Sequence, residues 1–394
     1  MTLMNADRSA FPIVFIDDAH TFGGAQIALA WGIRVILRNT SARIVCVCTA
    51  RTRSAIEGVV GENERLQFID CPSALPLNIV SYPLRLIPFA RILIRLRRKG
   101  VQAWWLNLSG IEFCLAPQLI LRWFGVETRA WLHNTERFAF FNKRGSWTRR
   151  ALSSARDKMA DRWLFGIYSW IIAPSRSSAK EVKARTCGER LPTVGHLYYP
   201  TIGEPPSPNR IPEANDGGPW DGPIDLWMIG RVEYGHKNNL AALDALEILN
   251  DAGRDVSLTV VGDGPDMADF VARSRALGVA GKIKFLGWRV DPWETVPKNA
   301  MIFIPSTYES MSLVAREAMM KGIRLTASPI PVFHEWIPGR LIADDFSVRA
   351  FAEKVVDVQS LSKGDLLSLY ATALGKFSDR IFVESFMDYT KGKR

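Results

Sequence analysis

The sequence repeats one local pattern in both halves: a short apolar run, a turn rich in glycine, proline or serine, and a segment with apolar residues at helical spacing. The short runs have the length and composition of buried strands, and the segments after them predict helices. Strands that alternate with helices form parallel sheets covered by helices. We therefore predict an α/β protein of doubly wound, Rossmann-like units. The runs that carry this prediction are residues 13–16, 171–173, 227–229, 258–261 and 301–304.

A stretch rich in proline and glycine, residues 201–223, interrupts this pattern and has the composition of a linker. A chain of 394 residues is long enough for two domains. We predict a first domain over 1–200, a second over 201–375 and an amphipathic terminal helix within 376–394. Ligands of doubly wound domains bind at the carboxyl ends of the strands, so we expect the active site in the cleft between the domains.

Two glutamates, Glu309 and Glu317, bracket a predicted strand-to-helix junction. The apolar run 301–304 stops at a proline, and the next helix begins after Ser310 or Ser312 as its N-cap. Glu309 then lies in the loop and Glu317 on the helix, about 8 Å beyond the helix start. Free N–H groups at a helix start bind anions. One ligand with a central phosphate, such as a nucleotide sugar, could contact both carboxylates and the helix start.

A second junction supplies cations. The run 227–229 leads into Gly230 and Arg231, and Lys237 follows just before a helix that continues from Leu240. A departing nucleoside diphosphate develops negative charge, and two fixed cations can stabilise it without a metal ion. The alternative is a pair of solvated cations, but the helix dipole disfavours cations at a helix start unless an anion accompanies them.

These segments resemble the Glu-x7-Glu and Gly-Arg…Lys motifs of retaining GT-B glycosyltransferases of family 4. The resemblance is strong over residues 225–337 and weaker before them. It implies a GT-B fold, with the terminal helix returning to the first domain. The chain departs from the usual motifs at four places, which are Gln26, Asn238, the pair 311–312 and the segment 329–331. These departures leave the identity of the sugar open.

The resemblance implies a hexosyl transfer from a nucleotide sugar to a hydroxyl of a cell-surface glycan or lipid-linked intermediate, with retention of configuration, without a cofactor and without a metal ion. Glu309, Arg231, Lys237 and His133 are the expected catalytic residues, with Glu309 on the hexose and the two cations on the diphosphate. Glu317 would accept hydrogen bonds from the ribose. The expected nucleotide-sugar-binding residues are Gly23, Gly24, Gly230, Arg231, Lys237, Gly262, Ser312, Leu313, Val314 and Glu317.

Several of these residues also have a structural interpretation. Gly23 and Gly24 lie between a strand and a helix, where they could admit a phosphate or simply form a tight turn. Gly262 precedes Asp-Gly, which most often forms a turn without a ligand. His133 follows a predicted strand end and could equally be a structural histidine. Trp288 could line the base pocket of the family or be a buried residue at a strand end.

Neither histidines nor cysteines suggest a metal site or a disulfide. The five histidines are not spaced as ligands, and the five cysteines are scattered. The first residues lack the pattern of a secretory signal, and no apolar run reaches the length of a membrane span. We therefore expect a cytoplasmic protein.

The net charge of +10 is concentrated in the first domain. Two segments, 83–99 and 137–150, combine cations with apolar or aromatic residues. They suit peripheral contact with an anionic membrane, but a core helix with a solvated basic edge and a polar loop explain them equally well. Nucleic acid is a less suitable partner, because the chain has no recognised nucleic-acid motif.

Two other functions fit the same sequence. Another GT-B enzyme, such as a sugar-nucleotide epimerase or a phosphorylase, would convert its substrate without an acceptor or would need phosphate. A non-catalytic protein could bind a membrane or a partner through its basic first domain. A Rossmann dehydrogenase is disfavoured because no G-x-G-x-x-G follows the first strand.

Overall fold

The computed structural model describes residues 12–19, 23–71, 82–110, 114–135, 165–186, 191–201, 222–289 and 291–393. The basic segment 137–150 and most of the predicted linker lie outside these ranges. The chain divides into two compact units, with divisions after residues 202 and 376. Unit 1 comprises residues 1–202 and 377–394, and unit 2 comprises residues 203–376.

Unit 1 contains a seven-stranded parallel sheet in the order β3-β2-β1-β4-β5-β6-β7. Its strands are Ile13–Asp17 (β1), Ile44–Cys48 (β2), Leu66–Asp70 (β3), Ala103–Leu108 (β4), Thr128–Leu132 (β5), Trp170–Ala173 (β6) and Thr193–His196 (β7). The helices between them are Gly24–Asn39 (α1), Ala50–Val60 (α2), Tyr82–Arg97 (α3), Leu115–Trp123 (α4) and Arg176–Arg185 (α5). Every residue of β1, β2, β4, β5 and β6 is buried, as the apolar runs predict.

Unit 2 contains a five-stranded parallel sheet in the order β10-β9-β8-β11-β12. Its strands are Ile224–Ile229 (β8), Val256–Val261 (β9), Ile283–Gly287 (β10), Met301–Ile304 (β11) and Arg324–Ala327 (β12). Its helices are Tyr234–Lys237 (α6), Leu240–Asp251 (α7), Met267–Ala276 (α8), Leu313–Met320 (α9), Pro331–His334 (α10), Val348–Gln359 (α11) and Lys363–Leu374 (α12). Short 3₁₀ turns occupy Ala280–Lys282, Pro292–Glu294, Gly339–Leu341 and Gly375–Phe377.

Both sheets have the doubly wound order, which confirms the predicted architecture. In each sheet the strand order reverses beside the first strand, between β1 and β4 in unit 1 and between β8 and β11 in unit 2. The loops that leave two such strands diverge, so a crevice opens at their carboxyl ends, and ligands of this architecture bind there. The fold therefore indicates one candidate crevice in each unit.

The last helix, Asp379–Thr390 (α13), packs in unit 1, as predicted. Ser378 is its N-cap, and its hydroxyl accepts a hydrogen bond from the N–H of Ile381. Phe386 is fully buried and stacks on Trp105 of β4, with ring centroids 4.6 Å apart. Tyr389 lies so close to Gly195 of β7 that a Cβ on the glycine would be 2.2 Å from the tyrosine hydroxyl. This approach requires glycine, so β7 and α13 are fitted to each other.

Candidate functional site

The crevice of unit 2 is an open pocket of about 430 Å³, solvent included, at the carboxyl ends of β8 and β11. Its position is the one that the strand order predicts. Its walls hold the predicted residues Gly230, Arg231, Lys237, Glu309, Ser312 and Val314. Gly230 and Glu309 are far apart in the sequence, but parallel pairing of β8 with β11 places the ends of the two strands before them side by side. The other lining residues are Met228, Ile229, Asn239, Val260, Phe303, Ile304, Pro305 and Ser306.

Lys237 and Glu309 contact each other directly. The ammonium Nζ lies 2.6 Å from Oε1 of Glu309, and the hydroxyl of Ser306 donates to the same oxygen at 3.0 Å. The side chain of Glu309 is 11% exposed and that of Lys237 is 34% exposed, so solvent only partly screens the pair. The carboxylate is thus held between a cation and a hydroxyl at the mouth of the pocket.

A tight turn positions Lys237. The next residue, Asn238, has a φ of 48°, in the left-handed region, where glycine or asparagine is favoured. Its side-chain amide donates to the carbonyl of Pro305 at 3.2 Å, which ties the turn to the end of β11. Asparagine therefore meets the backbone requirement at a position where the family that the sequence resembles usually has glycine, and it adds a hydrogen bond that glycine could not make.

Arg231 is the exposed cation of the pocket. Its side chain is 65% exposed, and its guanidinium lies 3.6 Å from a carboxylate oxygen of Glu233. A pair this exposed is weak. The guanidinium can therefore exchange Glu233 for an anionic ligand at little cost.

The start of α9 faces the same pocket. Ser312 is the N-cap, and its hydroxyl accepts a hydrogen bond from the N–H of Ala315 at 3.3 Å. Of the two candidate N-caps, the structure selects Ser312. The N–H groups of Leu313 and Val314, in the first turn, have no intrahelical acceptor, and the helix dipole makes this end attractive to anions. Two cations and a helix start therefore converge on one opening.

Glu317 lies one turn further along α9 and is half-buried. Its Oε2 accepts a hydrogen bond of 2.6 Å from the indole N–H of Trp293. Burial raises the pKa of Glu317 above its ordinary value, while the hydrogen bond from Trp293 and the positive charges of Lys321 and Arg316 oppose that rise. Nothing in the sequence pattern had indicated Trp293, because it lies in a short turn 24 residues before its partner.

Gly230 and Gly262 are required by backbone geometry. Their φ angles are 135° and 141°, which side-chain-bearing residues rarely adopt. A Cβ on Gly262 would lie 1.9 Å from the carbonyl oxygen of Gly230. Gly262 therefore allows the ends of β8 and β9 to meet, and this supports its interpretation as a turn glycine. Its predicted contact with the nucleotide stays a prediction.

Trp288 follows β10 and is 68% exposed. The interpretation of this residue as a buried tryptophan at a strand end is therefore wrong. A role in a base pocket stays a prediction.

Among the described residues, the carboxyl ends of β1 and β4 in unit 1 hold a buried polar cluster. Asp17, at the end of β1, is 1% exposed and accepts hydrogen bonds from the amides of Gln26 and Asn107. Burial raises the pKa of Asp17 from 3.8 to about 6. A glutamate at position 26, usual in the family that the sequence resembles, would place a second carboxylate about 3 Å from Asp17, where like charges repel. Gln26 avoids this repulsion, and its Oε1 also accepts from the N–H of Gly23 at 3.0 Å.

Gly23 and Gly24 form the start of α1, as predicted. Gly23 has a φ of −169°, extended backbone open to any residue, and a Cβ there would meet no atom of the described residues within 4 Å. Neither backbone geometry nor packing thus explains a glycine at position 23. Its predicted role at a phosphate remains a prediction.

His133 has both ring nitrogens hydrogen-bonded within unit 1. Nδ1 lies 2.7 Å from the hydroxyl of Tyr199, and Nε2 lies 2.7 Å from Oδ1 of Asn107. Because the amide of Asn107 donates to Asp17, its Oδ1 must accept, so Nε2 of His133 carries the proton. Burial lowers the pKa of His133 to about 3, so the ring is neutral. A contact with the donor sugar would require one of these two bonds to be exchanged, and this role stays a prediction.

The basic helix α3 buries its apolar side. Phe89, Leu93 and Leu96 belong to the core of unit 1, while Arg91 and Arg95 on the helix, and Arg98 just after it, are exposed. Among the described side chains, this arrangement matches a core helix with a solvated basic edge. No helix in the described ranges is long and apolar enough to span a bilayer. Within the same ranges, no group of three or more histidine, cysteine or acidic side chains could hold a metal ion.

Residues 223–360 match a family described as Glycosyl transferases group 1. Over 113 residues the chain is 32% identical to a 2-deoxystreptamine glucosyltransferase of Streptomyces kanamyceticus, which covers 28% of the chain and 29% of the relative. Over 112 residues it is 26% identical to a lipopolysaccharide 1,6-galactosyltransferase of Salmonella typhimurium, which covers 27% of the chain and 31% of the relative. The chain therefore aligns with less than a third of the length of these relatives.

Solved structures resemble the chain over nearly its whole length. HepE of Anabaena, crystallised with UDP and glucose, superposes with a TM-score of 0.69 at 16% identity and covers 97% of the chain and all of HepE. The apo form of the lipopolysaccharide outer core galactosyltransferase WaaB gives a TM-score of 0.61 at 17% identity and covers 98% of the chain and all of WaaB. At these identities the likeness shows the fold, which is the GT-B fold.

Proposed function

We propose that this protein is a retaining glycosyltransferase of GT-B family 4, which moves a hexosyl group from a nucleotide sugar to a hydroxyl of a cell-surface glycan or a lipid-linked intermediate. One observation carries the proposal. Gly230, Arg231, Lys237, Glu309 and the start of α9 line a single pocket at the carboxyl ends of β8 and β11. The match of residues 223–360 to group 1 glycosyl transferases supports it independently.

The pocket suits a diphosphate leaving group. Arg231 and Lys237 would neutralise the charge that develops as the glycosidic bond breaks, and the N–H groups of Leu313 and Val314 would donate to the same oxygens. Lys237 and the start of α9 are fixed by a turn, an ion pair and a capped helix, whereas Arg231 is exposed and would turn towards the ligand. Preorganised donors stabilise charge without reorganising during the reaction.

Glu309 would act on the hexose while holding Lys237. Its Oε1 is bound by Lys237 and Ser306, which leaves Oε2 for a sugar hydroxyl. Glu317 would accept hydrogen bonds from the ribose.

The retaining mechanism rests on the same pocket. Glu309 is the one carboxylate among the described lining residues, and it is engaged with a cation. A carboxylate bound in this way is a poor nucleophile. With retention of configuration, as the resemblance to family 4 implies, we infer attack from the face of the leaving group, assisted by its phosphate. The cations would replace a metal ion in this step, so activity should not require one.

The names of the relatives support sugar transfer, and two of the three support a cell-surface glycan as the acceptor. Two of the aligned relatives are lipopolysaccharide 1,6-galactosyltransferases and one is a 2-deoxystreptamine glucosyltransferase. All three names describe sugar transfer. Reaction in the cytoplasm, with the basic edge of α3 in electrostatic contact with an anionic membrane, completes the proposal.

The first experiment is a thermal-shift titration with UDP, GDP, ADP and TDP sugars in the presence of EDTA, repeated on Lys237→Ala and Glu317→Ala. We expect one nucleotide to stabilise the wild type and neither variant to respond to the same extent. The nucleotide sugar of that base is then incubated with the protein, and NMR at early times identifies the anomer released by slow hydrolysis.

Each outcome decides between functions. Release of the donor's own anomer without metal supports retaining transfer, whereas inversion or a strict requirement for Mg²⁺ or Mn²⁺ contradicts it. Conversion of the nucleotide sugar into its epimer, or glycan cleavage that depends on phosphate, would identify another GT-B enzyme. A folded protein that responds to none of these nucleotides would be a non-catalytic binder.

A further inference from the structure

Trp293 makes a contact beside the proposed nucleotide-sugar site that the sequence pattern does not indicate. It lies in the 3₁₀ turn Pro292–Glu294, between β10 and β11, and reaches a carboxylate on α9. Glu317 does not itself line the pocket, but Val314, one helical turn before it on the same face, does. The indole therefore contacts the same helix, α9, whose first turn lines the pocket.

The indole is fixed from several sides. The indole N–H of Trp293 donates to Oε2 of Glu317 at 2.6 Å, and the backbone N–H of Trp293 donates to Oδ1 of Asp291 at 2.9 Å. The hydroxyl of Thr295 donates to the carbonyl of Pro292 at 2.9 Å and closes the turn. The ammonium of Lys321 lies 5.7 Å from the centre of the ring, within the range of a cation–π contact. The tryptophan thus has a defined position before any ligand binds.

One carboxylate oxygen stays available for a ligand. Among the described residues, hydrogen bonds to the side chain of Glu317 are confined to Oε2, where Trp293 donates. The hydrogen bond from the Trp293 N–H to one oxygen orients the carboxylate plane of Glu317 and thereby the lone pairs of its other oxygen. The same hydrogen bond favours the ionised form of the half-buried Glu317 carboxylate, and so do the positive charges of Lys321 and Arg316. The negative charge of Asp291 opposes ionisation.

We propose that Trp293 is a positioning residue of the nucleotide site, which holds Glu317 so that its free oxygen receives a ribose hydroxyl. This inference rests on the proposed function, because it takes Glu317 as the ribose acceptor. Its distinct content is that recognition of the ribose depends on an indole from the β10–β11 connection. The loss of that N–H should therefore weaken only those ligands that carry ribose hydroxyls.

The test compares dissociation constants for UDP, GDP or ADP, whichever stabilises the protein most, with those for its 2′,3′-dideoxy counterpart. We expect the wild type to bind the ribose form at least about 10-fold more tightly. In Trp293→Phe, which keeps an aromatic ring over Lys321 but lacks the N–H, that preference should shrink at least about 3-fold. The dideoxy form should bind both proteins equally.

Trp227→Phe is the matched control. The indole of Trp227 in β8 also donates to a carboxylate, Oδ2 of Asp225, at 2.7 Å, in the same unit but outside the pocket lining. This variant should keep the wild-type preference for ribose. Asp291→Ala, which unties the turn but keeps the indole, should lower the preference by a smaller factor, and it serves as the test if Trp293→Phe does not fold.

The outcomes separate the two ideas. A wild type that does not distinguish ribose from dideoxyribose would remove Glu317 from the ribose and contradict that part of the proposed function. A wild type that does distinguish them, with an unchanged ratio in Trp293→Phe, would overturn only the role of Trp293. Tighter binding of the ribose form by Trp293→Phe would also overturn it, because the indole would then be a competitor of the ligand.

Discussion

At the scale of single residues, the pocket depends on contacts that join distant positions. Lys237 and Glu309 are 72 positions apart and share a hydrogen bond. Removal of the lysine would take a cation from the diphosphate and leave Glu309, 11% exposed, without its ion partner. Both effects are unfavourable. The first would weaken stabilisation of the diphosphate, and the second would leave a partly buried charge unpaired, which is costly.

Lys237→Ala should therefore lower turnover by about 10- to 150-fold, since a charge-assisted hydrogen bond contributes roughly 1.5–3 kcal/mol. Initial rates at saturating donor measure the effect. Lys284→Ala is the control, because Lys284 is exposed on β10 of the same unit and lies outside the pocket lining. Near-normal turnover in Lys237→Ala would remove the lysine from the mechanism.

Asp17 makes the stability of unit 1 depend on pH. Its pKa is about 6 in the folded protein, against an ordinary value of 3.8, so the folded state retains a proton that the unfolded state has released between these values. Stability should therefore fall as pH rises through this window, by about 3 kcal/mol in total. Asp17→Asn should flatten this part of the profile.

Urea midpoints between pH 4 and 7 test this dependence. Asp70→Asn is the matched control, because Asp70 ends β3 at the same level of the sheet but is exposed. Identical slopes for wild type and Asp17→Asn would show that Asp17 is ionised throughout, and the buried cluster would then be held by a charge.

Some residues could be identified from sequence and others could not. Arg231, Lys237, Glu309 and Ser312 follow predicted strand ends and belong to the motifs that carry the family resemblance. Parallel strands place their ends together, so pattern and resemblance together bring these residues to one pocket. Trp293 and Ser306 depend on side-chain contacts that no local pattern encodes. The departures at Gln26 and Asn238 became intelligible only from their neighbours, a buried carboxylate in one case and a left-handed backbone in the other.

At the scale of secondary-structure elements, α3 shows how composition can mislead. A wide apolar face beside a row of arginines is also the pattern of a helix that lies on a membrane. In the structure Phe89, Leu93 and Leu96 fill the core, which leaves the basic edge for solvent or for a charged surface. These three core residues are therefore unavailable for insertion into a membrane, and the exposed part of the described helix consists mainly of its arginines together with Ile87.

Replacement of Arg91, Arg95 and Arg98 by glutamine should therefore weaken binding to anionic vesicles by up to about 150-fold at low salt, at about 1 kcal/mol per charge. High salt should weaken wild-type binding similarly, because exposed charges are screened. Co-sedimentation with anionic and neutral vesicles measures both effects. The control replaces the exposed residues Arg254, Arg275 and Lys284 of unit 2. Equal binding to both vesicle types would exclude electrostatic contact.

At the scale of the whole molecule, the order of the strands along the chain differs from their order in the two sheets. Repeated strand–turn–helix patterns were sufficient to predict two doubly wound sheets. The contacts of α13 could not be derived from its amphipathic pattern, because that pattern does not state which surface it covers. In the structure its aromatic residues complete the core of unit 1 beside β4 and α1.

Phe386→Ala tests this role. The ring is fully buried and stacks on Trp105, Phe15 and Phe382. Its loss should destabilise unit 1 by about 3–5 kcal/mol and leave a nucleotide-induced thermal shift of unit 2 in place. Calorimetry with and without nucleotide separates the two responses. Ile381→Ala, at an exposed position of the same helix, should be nearly neutral, and an equal loss in both variants would contradict the assignment.

The position of α13 also has a consequence for biosynthesis. Unit 2 occupies one uninterrupted segment, whereas unit 1 needs residues from both ends of the chain. A ribosome works from the amino end, so every residue of unit 2 has been polymerised before Phe386 is added. Through most of translation, the aromatic residues of β4 and β5 therefore lack the helix that covers them in the folded protein. Most of unit 1 is therefore synthesised first, but its core is completed last, after all of unit 2 has been made.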